Sequence, residues 1–246
     1  MLVERKVKIA LFTIITGEYE SHVRESFPLK TMPMLEAAYV VTDNALIKED
    51  ATKKGWDCIF VNKTENSKKA QRKMKVLQNF HPDLHVLNQY DVIIYIDGNN
   101  GLDDILKLDR SIREVQSCDI VCFDHPTKDA TSKSSNAELT KVLEHKLISK
   151  DAHDKVKSVY IESNYPDNIG LSDTRVLIRK NNENVERFCN EWINNMIDTN
   201  CYRDQVFFEY ALWKHEIHFK RMKNIDFPFK EKGGHLDRHK MRANVS

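Results

Sequence analysis

Short apolar runs that end in polar turns recur along the chain. The most pronounced is Val92 to Ile96, an unbroken series of β-branched and aromatic residues. A run of this length is too short for a free-standing helix, and it predicts a strand buried on both faces, as in the parallel sheets of α/β proteins. The same pattern predicts further strands over residues 7–16, 37–42, 57–61, 118–123 and 174–179.

Amphipathic segments lie between these strands. Ser67 to Phe80 has helical spacing, with Ser67 as the expected N-cap. Its apolar stripe is Ala70, Met74 and Leu77, and its opposite face carries Lys68, Arg72, Lys75 and Asn79. Such a cationic face predicts a solvated surface unless it lies beside a phosphate site. Further helices are expected over residues 103–115, 138–148, 184–197 and 206–213, and the stripe containing Trp192 predicts core packing.

Polar residues follow several of the predicted strands directly. Asp97, Gly98 and Asn99 follow the central run, where glycine and asparagine allow positive φ and let the backbone approach a ligand. In open α/β sheets, ligands bind at the carboxyl ends of the strands. The other strand ends of this kind are Thr16-Gly17, Asp43-Asn44 and Asp124-His125.

The turn after the central strand has two interpretations. Oxygen atoms of Asp97 and Asn99 would share a hard divalent cation, and such a cation would neutralise a diphosphate. Alternatively, the strand simply stops at a polar turn. The pattern alone leaves both interpretations open.

Composition narrows the class of protein. The 246 residues include 38 Lys and Arg against 37 Asp and Glu, so the net charge of +1 predicts neither a nucleic-acid partner nor binding to an anionic membrane. The 5 cysteines form no C-x-x-C pair, which favours a reducing, cytoplasmic location. No signal peptide or transmembrane segment is predicted. We expect one domain over residues 1–246, with a basic tail at 230–246.

Two further features concern candidate chemistry. Asp204 lies at or near the N-terminus of the helix predicted over 206–213, where a carboxylate is stabilised as an anion. His235 and His239 have a spacing that would suit a metal pair on a helix, but Gly233 and Gly234 favour a loop. His81 and His85 share that spacing, which weakens the spacing as evidence for a metal site.

Seven short stretches give the chain a family resemblance in their order and spacing. They are Arg72-x-x-Lys75, Tyr90-Asp91, Ile96 to Asn99, His125-Pro126, Gly170-Leu171, Val176 to Arg179 and Arg203-Asp204-Gln205. Over most of its length the chain resembles the glycosyltransferase-like family first catalogued as a domain of unknown function. That family includes plant cell-wall and mucilage proteins and proteins of large algal viruses.

The resemblance implies a GT-A-like, Rossmann-like α/β fold with a mixed, mostly parallel sheet flanked by helices. It also implies an Asp-x-Asp motif that holds a divalent cation on the sugar-nucleotide diphosphate. Asn99 replaces the second acid, so metal affinity would be lower or Asn99 would face the ribose or sugar. A histidine near the C-terminus would complete the cation's shell, and His235 is preferred over His239.

The remaining roles combine the strand-end and charge patterns with the resemblance. Nucleotide binding is expected at Thr16, Gly17, Asp43, Arg72, Lys75, Asp97, Gly98 and Asn99, and substrate binding at His125, Gly170, Leu171, Arg203 and Gln205. If the reaction inverts stereochemistry, Asp204 would be the general base. If the reaction retains it, Asp204 would only position substrate.

Three functions remain under consideration. The first is a glycosyltransferase that uses a nucleotide sugar, UDP-linked by preference, with Mn²⁺ or Mg²⁺ and a glycan or glycoprotein acceptor, located in the host cytoplasm if the protein is viral. The second is a carbohydrate- or nucleotide-binding module with a decayed site, for which Asn99 is the motivating feature. The third is a nucleotidyltransferase, which also needs a metal on a phosphoanhydride.

Overall fold

A computed structural model describes residues 6–17, 22–23, 32–63, 66–126 and 133–231. Its main feature is a seven-stranded sheet with the order β3-β2-β1-β4-β7-β6-β8. These strands are β1 (Ile9–Ile14), β2 (Ala37–Thr42), β3 (Asp57–Phe60), β4 (Val92–Asp97), β6 (Ile120–Asp124), β7 (Ser172–Lys180) and β8 (Phe219–Met222). A second, two-stranded sheet pairs β5 (Asn100–Leu102) with β9 (Phe229–Glu231) in antiparallel register.

The central strand β4 is buried along all but its last residue, as the run from Val92 to Ile96 predicted. It pairs in parallel with β1, which matches Ile14 to Asp97, and antiparallel with β7. Every other pairing in the large sheet is parallel except that of β6 with β7. The predicted mixed, mostly parallel sheet flanked by helices is therefore confirmed.

Helices cover both faces of the sheet. They are α1 (Ala45–Lys53), α2 (Ser67–Leu77), α3 (Ile105–Glu114), α4 (Ser135–Glu144), α5 (Lys150–Glu162), α6 (Glu183–Asp198) and α7 (Asp204–Lys214). One core layer lies against α2, α4, α5, α6 and α7, and the other lies against α1 and α3. Side chains of β4 alternate between the layers, because Ile93 and Tyr95 join the first while Ile94 and Ile96 join the second.

Several helix boundaries differ from those expected. The N-cap of α2 is Asn66 rather than Ser67, since the Asn66 side chain accepts a hydrogen bond from the Lys69 amide. The helix ends at Leu77, and Gln78, with a φ of 43°, starts a 3₁₀ turn. The α4 helix begins at Ser135 because the Ser134 side chain caps it, three residues before the expected start.

The α1 helix and strand β5 were not predicted. The α1 helix buries only two residues, Ile47 and Ala51, so its apolar stripe is short. The turn after Asp97 leads into β5, and neither Gly98 nor Gly101 has a positive φ, contrary to the expected conformation.

The core matches one prediction from the sequence. Trp192 is fully buried in the core layer that contains α6. All five cysteines are free thiols. No helix among the described residues has the length and apolar character needed to cross a bilayer.

Candidate active site at the carboxyl ends of the strands

The predicted site residues gather at one edge of the large sheet. The parallel strands β1, β2, β4 and β6 all end there, and the antiparallel strand β7 begins there. The first residue of α7, Asp204, also lies at this edge, because Thr174 near the start of β7 donates a hydrogen bond to it over 2.8 Å. Side chains far apart in sequence thereby meet in a single region.

Asp97 is held through one oxygen. Its Oδ1 accepts a hydrogen bond of 2.6 Å from the Tyr95 hydroxyl and one of 3.4 Å from the Lys75 ammonium. Burial and the neighbouring carboxylate raise the pKa of Tyr95 well above its usual value, so the phenol remains a donor. The Asp97 side chain is still 27% exposed. It is therefore oriented by the protein and open to a ligand.

Asp204 is more enclosed than Asp97. Its Oδ2 accepts hydrogen bonds from Lys75 at 2.5 Å, Arg72 at 2.9 Å and Thr174 at 2.8 Å. Burial alone would raise the pKa of this carboxyl, but the charges of Arg72 and Lys75 outweigh burial and hold the pKa well below its usual range. A carboxylate with three donors and a depressed pKa is a weak base.

Lys75 joins the two carboxylates. Its side chain is 1% exposed, and its ammonium lies between Asp97, Asp204 and Thr174, 4.9 Å from the centre of the Tyr95 ring. The solvated surface that the amphipathic pattern predicted for this face of α2 is therefore wrong at Lys75. Burial of this ammonium is tolerated because two carboxylates and an aromatic ring surround it.

The four charged groups form what we call the Lys75 cluster, made of Arg72, Lys75, Asp97 and Asp204. Two cations face two carboxylates, and the charges cancel. Within the cluster, both cations therefore already form ion pairs with protein carboxylates.

The ends of β1 and β2 form a second part of the edge. The Gly17 amide donates to Oδ1 of Asp43 over 2.7 Å, with Gly17 at a φ of +67°. A Cβ at Gly17 would lie 2.7 Å from the Ser67 Oγ, so this turn packs tightly on the start of α2. Thr16 contacts the same residue, because its hydroxyl lies 3.5 Å from the Ser67 carbonyl.

A cleft of 380 Å³ lies next to this turn, and the Lys75 cluster does not line it. Its polar lining includes Thr16, Asp43, Asn62, Lys69, Lys73 and His81. The structure thus places Thr16 and Asp43 on the cleft, and it places Arg72, Lys75 and Asp97 in the cluster. Residues of α2 take part in both the cleft and the cluster.

The turn after Asp97 supplies oxygen atoms. A Cβ at Gly98 would lie 2.9 Å from a side-chain carbon of Ile15, so close packing, not positive φ, calls for glycine there. Asn100 donates to the Asn99 amide oxygen over 3.2 Å. Oδ1 of Asn100 is buried without a hydrogen-bond partner among the described residues.

These oxygens suit a hard divalent cation in chemical type. Within the part of the chain that the structure describes, no group of three or more His, Cys, Asp or Glu side chains is arranged to hold a metal ion. A cation here would therefore depend on Asp97, amide oxygens and ligands from elsewhere. The predicted histidine ligand, His235, lies outside the described residues.

The predicted substrate residues from β6 and the loop before β7 also meet. The His125 amide donates to the Leu171 carbonyl over 3.0 Å. Gly170 has a φ of +94°, and a Cβ there would lie 2.6 Å from Arg221, which donates to the Ile169 carbonyl. Burial lowers the pKa of His125, so its imidazole is neutral at pH 7.

Arg203 and Gln205 flank Asp204 and bind neighbouring elements. Arg203 lies 3.9 Å from Glu138 on α4, and Gln205 is 3.4 Å from the Ser172 carbonyl on β7. Burial raises the pKa of Glu138. In this structure the two side chains link the start of α7 to α4 and β7.

Three residues of the site were not predicted. Tyr95 precedes Asp97 by two positions, and strand periodicity, which puts both on one face, would have identified it. Thr174 and Trp192, whose indole donates to the Asp204 carbonyl over 2.9 Å, contact α7 only through the tertiary fold. Nothing in the local sequence signals either contact.

Comparisons with known proteins support the fold. No protein-family model matches the chain, and no curated protein is similar in sequence. The crystal structure of 4-diphosphocytidyl-2C-methyl-D-erythritol synthase from Anaerococcus prevotii matches 98% of this chain and 99% of its own, with 11% identity and a TM-score of 0.52.

A second solved structure is core-mannan synthase A from Aspergillus fumigatus in a Mn/GDP form. It matches over 94% of this chain and 76% of its own, with 11% identity and a TM-score of 0.50. At such identities the likeness shows the fold alone. The chain thus has the GT-A-like, Rossmann-like fold that these two enzymes share.

Proposed function

We propose that this protein is a nucleotide-sugar-dependent glycosyltransferase whose donor diphosphate binds beside the Lys75 cluster. The observation that carries the proposal is the partly exposed Asp97 carboxylate, held by Tyr95 and Lys75 at the carboxyl end of the central strand. This is the edge at which open α/β sheets bind ligands. The cleft beside it gives the nucleoside a separate compartment.

The cleft has the size and lining that a nucleoside requires. Its volume of 380 Å³ lies within the range of about 300–1,000 Å³ that is usual for small-molecule sites. Thr16 and Asn62 supply polar contacts, and the charged side chains that line the cleft are Lys69, Lys73, Asp43 and Asp83. The α2 helix contributes side chains to both the cleft and the Lys75 cluster.

Charge balance supports a divalent cation on the diphosphate. The Lys75 cluster pairs two cations with two carboxylates, so it offers an added diphosphate no net positive charge of its own. We propose that Asp97 and Asn99 would hold Mn²⁺ or Mg²⁺, with His235 as a further ligand. When bound, the cation would stabilise the negative charge of the leaving diphosphate.

The surroundings of Asp204 favour one of the two roles predicted for it. Because its carboxylate is buried, accepts three hydrogen bonds and has a depressed pKa, it suits positioning better than proton acceptance. We therefore propose that Asp204 fixes Arg72 and Lys75 against the donor and does not act as the general base. His125, Gly170 and Leu171 would form the side of the site that meets the acceptor.

The family resemblance supplies the finer proposals. Membership of the glycosyltransferase-like family of plant and algal-virus proteins would make the donor a UDP sugar and the acceptor a glycan or glycoprotein. The five free thiols are consistent with a reducing, cytoplasmic location.

A nucleotidyltransferase is the second candidate, favoured by the fold shared with the diphosphocytidyl synthase. Incubation with UDP and GDP sugars, and separately with nucleoside triphosphates, distinguishes the two by product. The proposal expects free nucleoside diphosphate from a sugar nucleotide. Pyrophosphate from a triphosphate would establish the second candidate, and neither product would indicate a binding module.

A further inference from the structure

Arg179 is a fully buried cation near the C-terminal end of β7. Its guanidinium donates from Nη2 to the Lys75 carbonyl over 2.7 Å and from Nη1 to the Val76 carbonyl over 2.9 Å. Nη1 also lies 3.6 Å from the Cys189 sulfur. Both carbonyls belong to the last turn of α2, where helix carbonyls lack partners within the helix.

The described surroundings of Arg179 contain no ordinary counterion. Among the described residues, no carboxylate forms an ion pair with it, and burial raises the pKa of Cys189 to about 11, so that group is a neutral thiol. The guanidinium is instead paired with the negative end of the α2 dipole. Its neighbours on β7, Leu177 and Ile178, are apolar and equally buried, so packing alone would not call for arginine.

The carbonyl that Arg179 binds belongs to the residue that forms the centre of the site. The Lys75 backbone is held by β7 through Arg179, while its ammonium reaches Asp97 and Asp204. One turn earlier, the Gln71 side chain donates to the Ile14 carbonyl over 2.9 Å at the end of β1. Three side-chain hydrogen bonds, two from Arg179 on β7 and one from Gln71 to β1, thus fix the segment of α2 that carries Arg72 and Lys75.

We infer that Arg179 is a positioning residue that fixes the last turn of α2 and thereby holds the Lys75 ammonium between Asp97 and Asp204. A planar guanidinium can bind two adjacent carbonyls at once, which a lysine ammonium at the same place would do poorly. The effect on Lys75 stands on the geometry alone. The consequence for diphosphate binding rests on the proposed function.

The test uses Arg179→Lys and Arg179→Met in the full chain, with Ile47→Ala as the control. Ile47 is fully buried on α1 in the other core layer, so its truncation lowers stability without touching α2. The first readout is acylation of Lys75 by an amine reagent, followed by mass spectrometry. In the wild type Lys75 is protected by burial.

We expect both Arg179 variants to acylate Lys75 at least about tenfold faster than the Ile47→Ala control, because the end of α2 opens locally. If Arg179→Met does not fold, Arg179→Lys carries the test. Lys75 acylation no faster than in the control would overturn the inference.

A second readout links the inference to ligand binding. Calorimetric titration with UDP and Mn²⁺ should give a Kd about tenfold weaker in Arg179→Lys than in the control, because the displaced ammonium no longer orients Asp97. Unchanged UDP affinity alongside faster Lys75 acylation would show that Arg179 positions Lys75 but does not affect diphosphate binding. If the wild type binds no nucleoside diphosphate, the proposed function fails, and the acylation result still decides the role of Arg179.

Discussion

The Lys75 ammonium lies 2.5 Å from Oδ2 of Asp204, and the two side chains are only 1% and 5% exposed. The residues are 129 positions apart in sequence, so this ion pair joins α2 to the start of α7. Burying two charges is costly, and removing one partner leaves the other uncompensated. The pair therefore makes the arrangement around Asp97 sensitive to changes at residues that need not touch a ligand.

Asp97→Asn should reduce sugar transfer by on the order of 10²-fold or more, because the neutral amide loses the charge that would anchor a cation. The fold should persist, since the side chain is partly exposed at a strand end. Initial rates of nucleoside diphosphate release, together with thermal melting, measure both effects. The matched control is Asp91→Asn, which lies at the opposite end of β4 and should leave transfer unchanged. Wild-type rates in Asp97→Asn would remove Asp97 from the mechanism.

Asp204→Asn should destabilise the protein by about 3–5 kcal/mol, because Lys75 and Arg72 lose their buried counter-charge. Urea unfolding measures the change. The double variant Lys75→Met with Asp204→Asn should recover part of the loss, since it removes a buried cation together with the anion. The control Asp154→Asn, in an exposed pair with Lys150, should melt like the wild type. A fully stable Asp204→Asn protein without transfer activity would instead restore Asp204 as the general base.

Acid should lower the free energy of unfolding through Asp204 in a defined pH window. Its pKa is depressed in the folded state, so its stabilising contribution is fully present above the unfolded value of about 3.9. As pH falls below that value, the contribution declines by about 1.4 kcal/mol per pH unit toward the folded pKa. The stability difference between wild type and Asp204→Asn should therefore shrink from pH 4 to pH 3. A difference that stays constant over this interval would contradict the assignment.

Gly17→Ala should weaken nucleotide binding and stability together. The added Cβ would meet the Ser67 Oγ at a φ of +67°, which displaces the turn from Asp43. Gly55→Ala is the control, because Gly55 also has a positive φ, of 84°, but lies in the turn between α1 and β3. Each change should cost about 1–3 kcal/mol of stability. Only Gly17→Ala should also raise the Kd for UDP, and equal Kd values in the two variants would separate Gly17 from the site.

Much of the architecture follows from local pattern. The run from Ala37 to Thr42 forms the predicted strand β2, because it is apolar and stops at Asp43-Asn44. Asp204 begins α7 as expected from its place before an apolar helical stretch. The α1 helix escaped prediction, since only Ile47 and Ala51 anchor it to the core.

The geometry of the site could not be predicted in the same way. Helical periodicity assigns Lys75 to a solvated face, and only carboxylates from β4 and α7 make its burial tolerable. Those partners are distant in sequence, so no local window contains the information. The strand ends themselves were predictable because parallel strands bring Asp97 and Asp124 to one edge.

The central claim is that the Asp97 end of the Lys75 cluster binds the diphosphate of a nucleotide. Its most direct test is a calorimetric comparison of UDP with uridine, in Mn²⁺ and in excess chelator, for the wild type and Asp97→Asn. The account predicts that the wild type with Mn²⁺ binds UDP at least about tenfold more tightly than uridine, a gain of about 1.4 kcal/mol. That preference should be reduced in chelator and in Asp97→Asn. Equal affinity of the wild type for UDP and uridine under all conditions would contradict it.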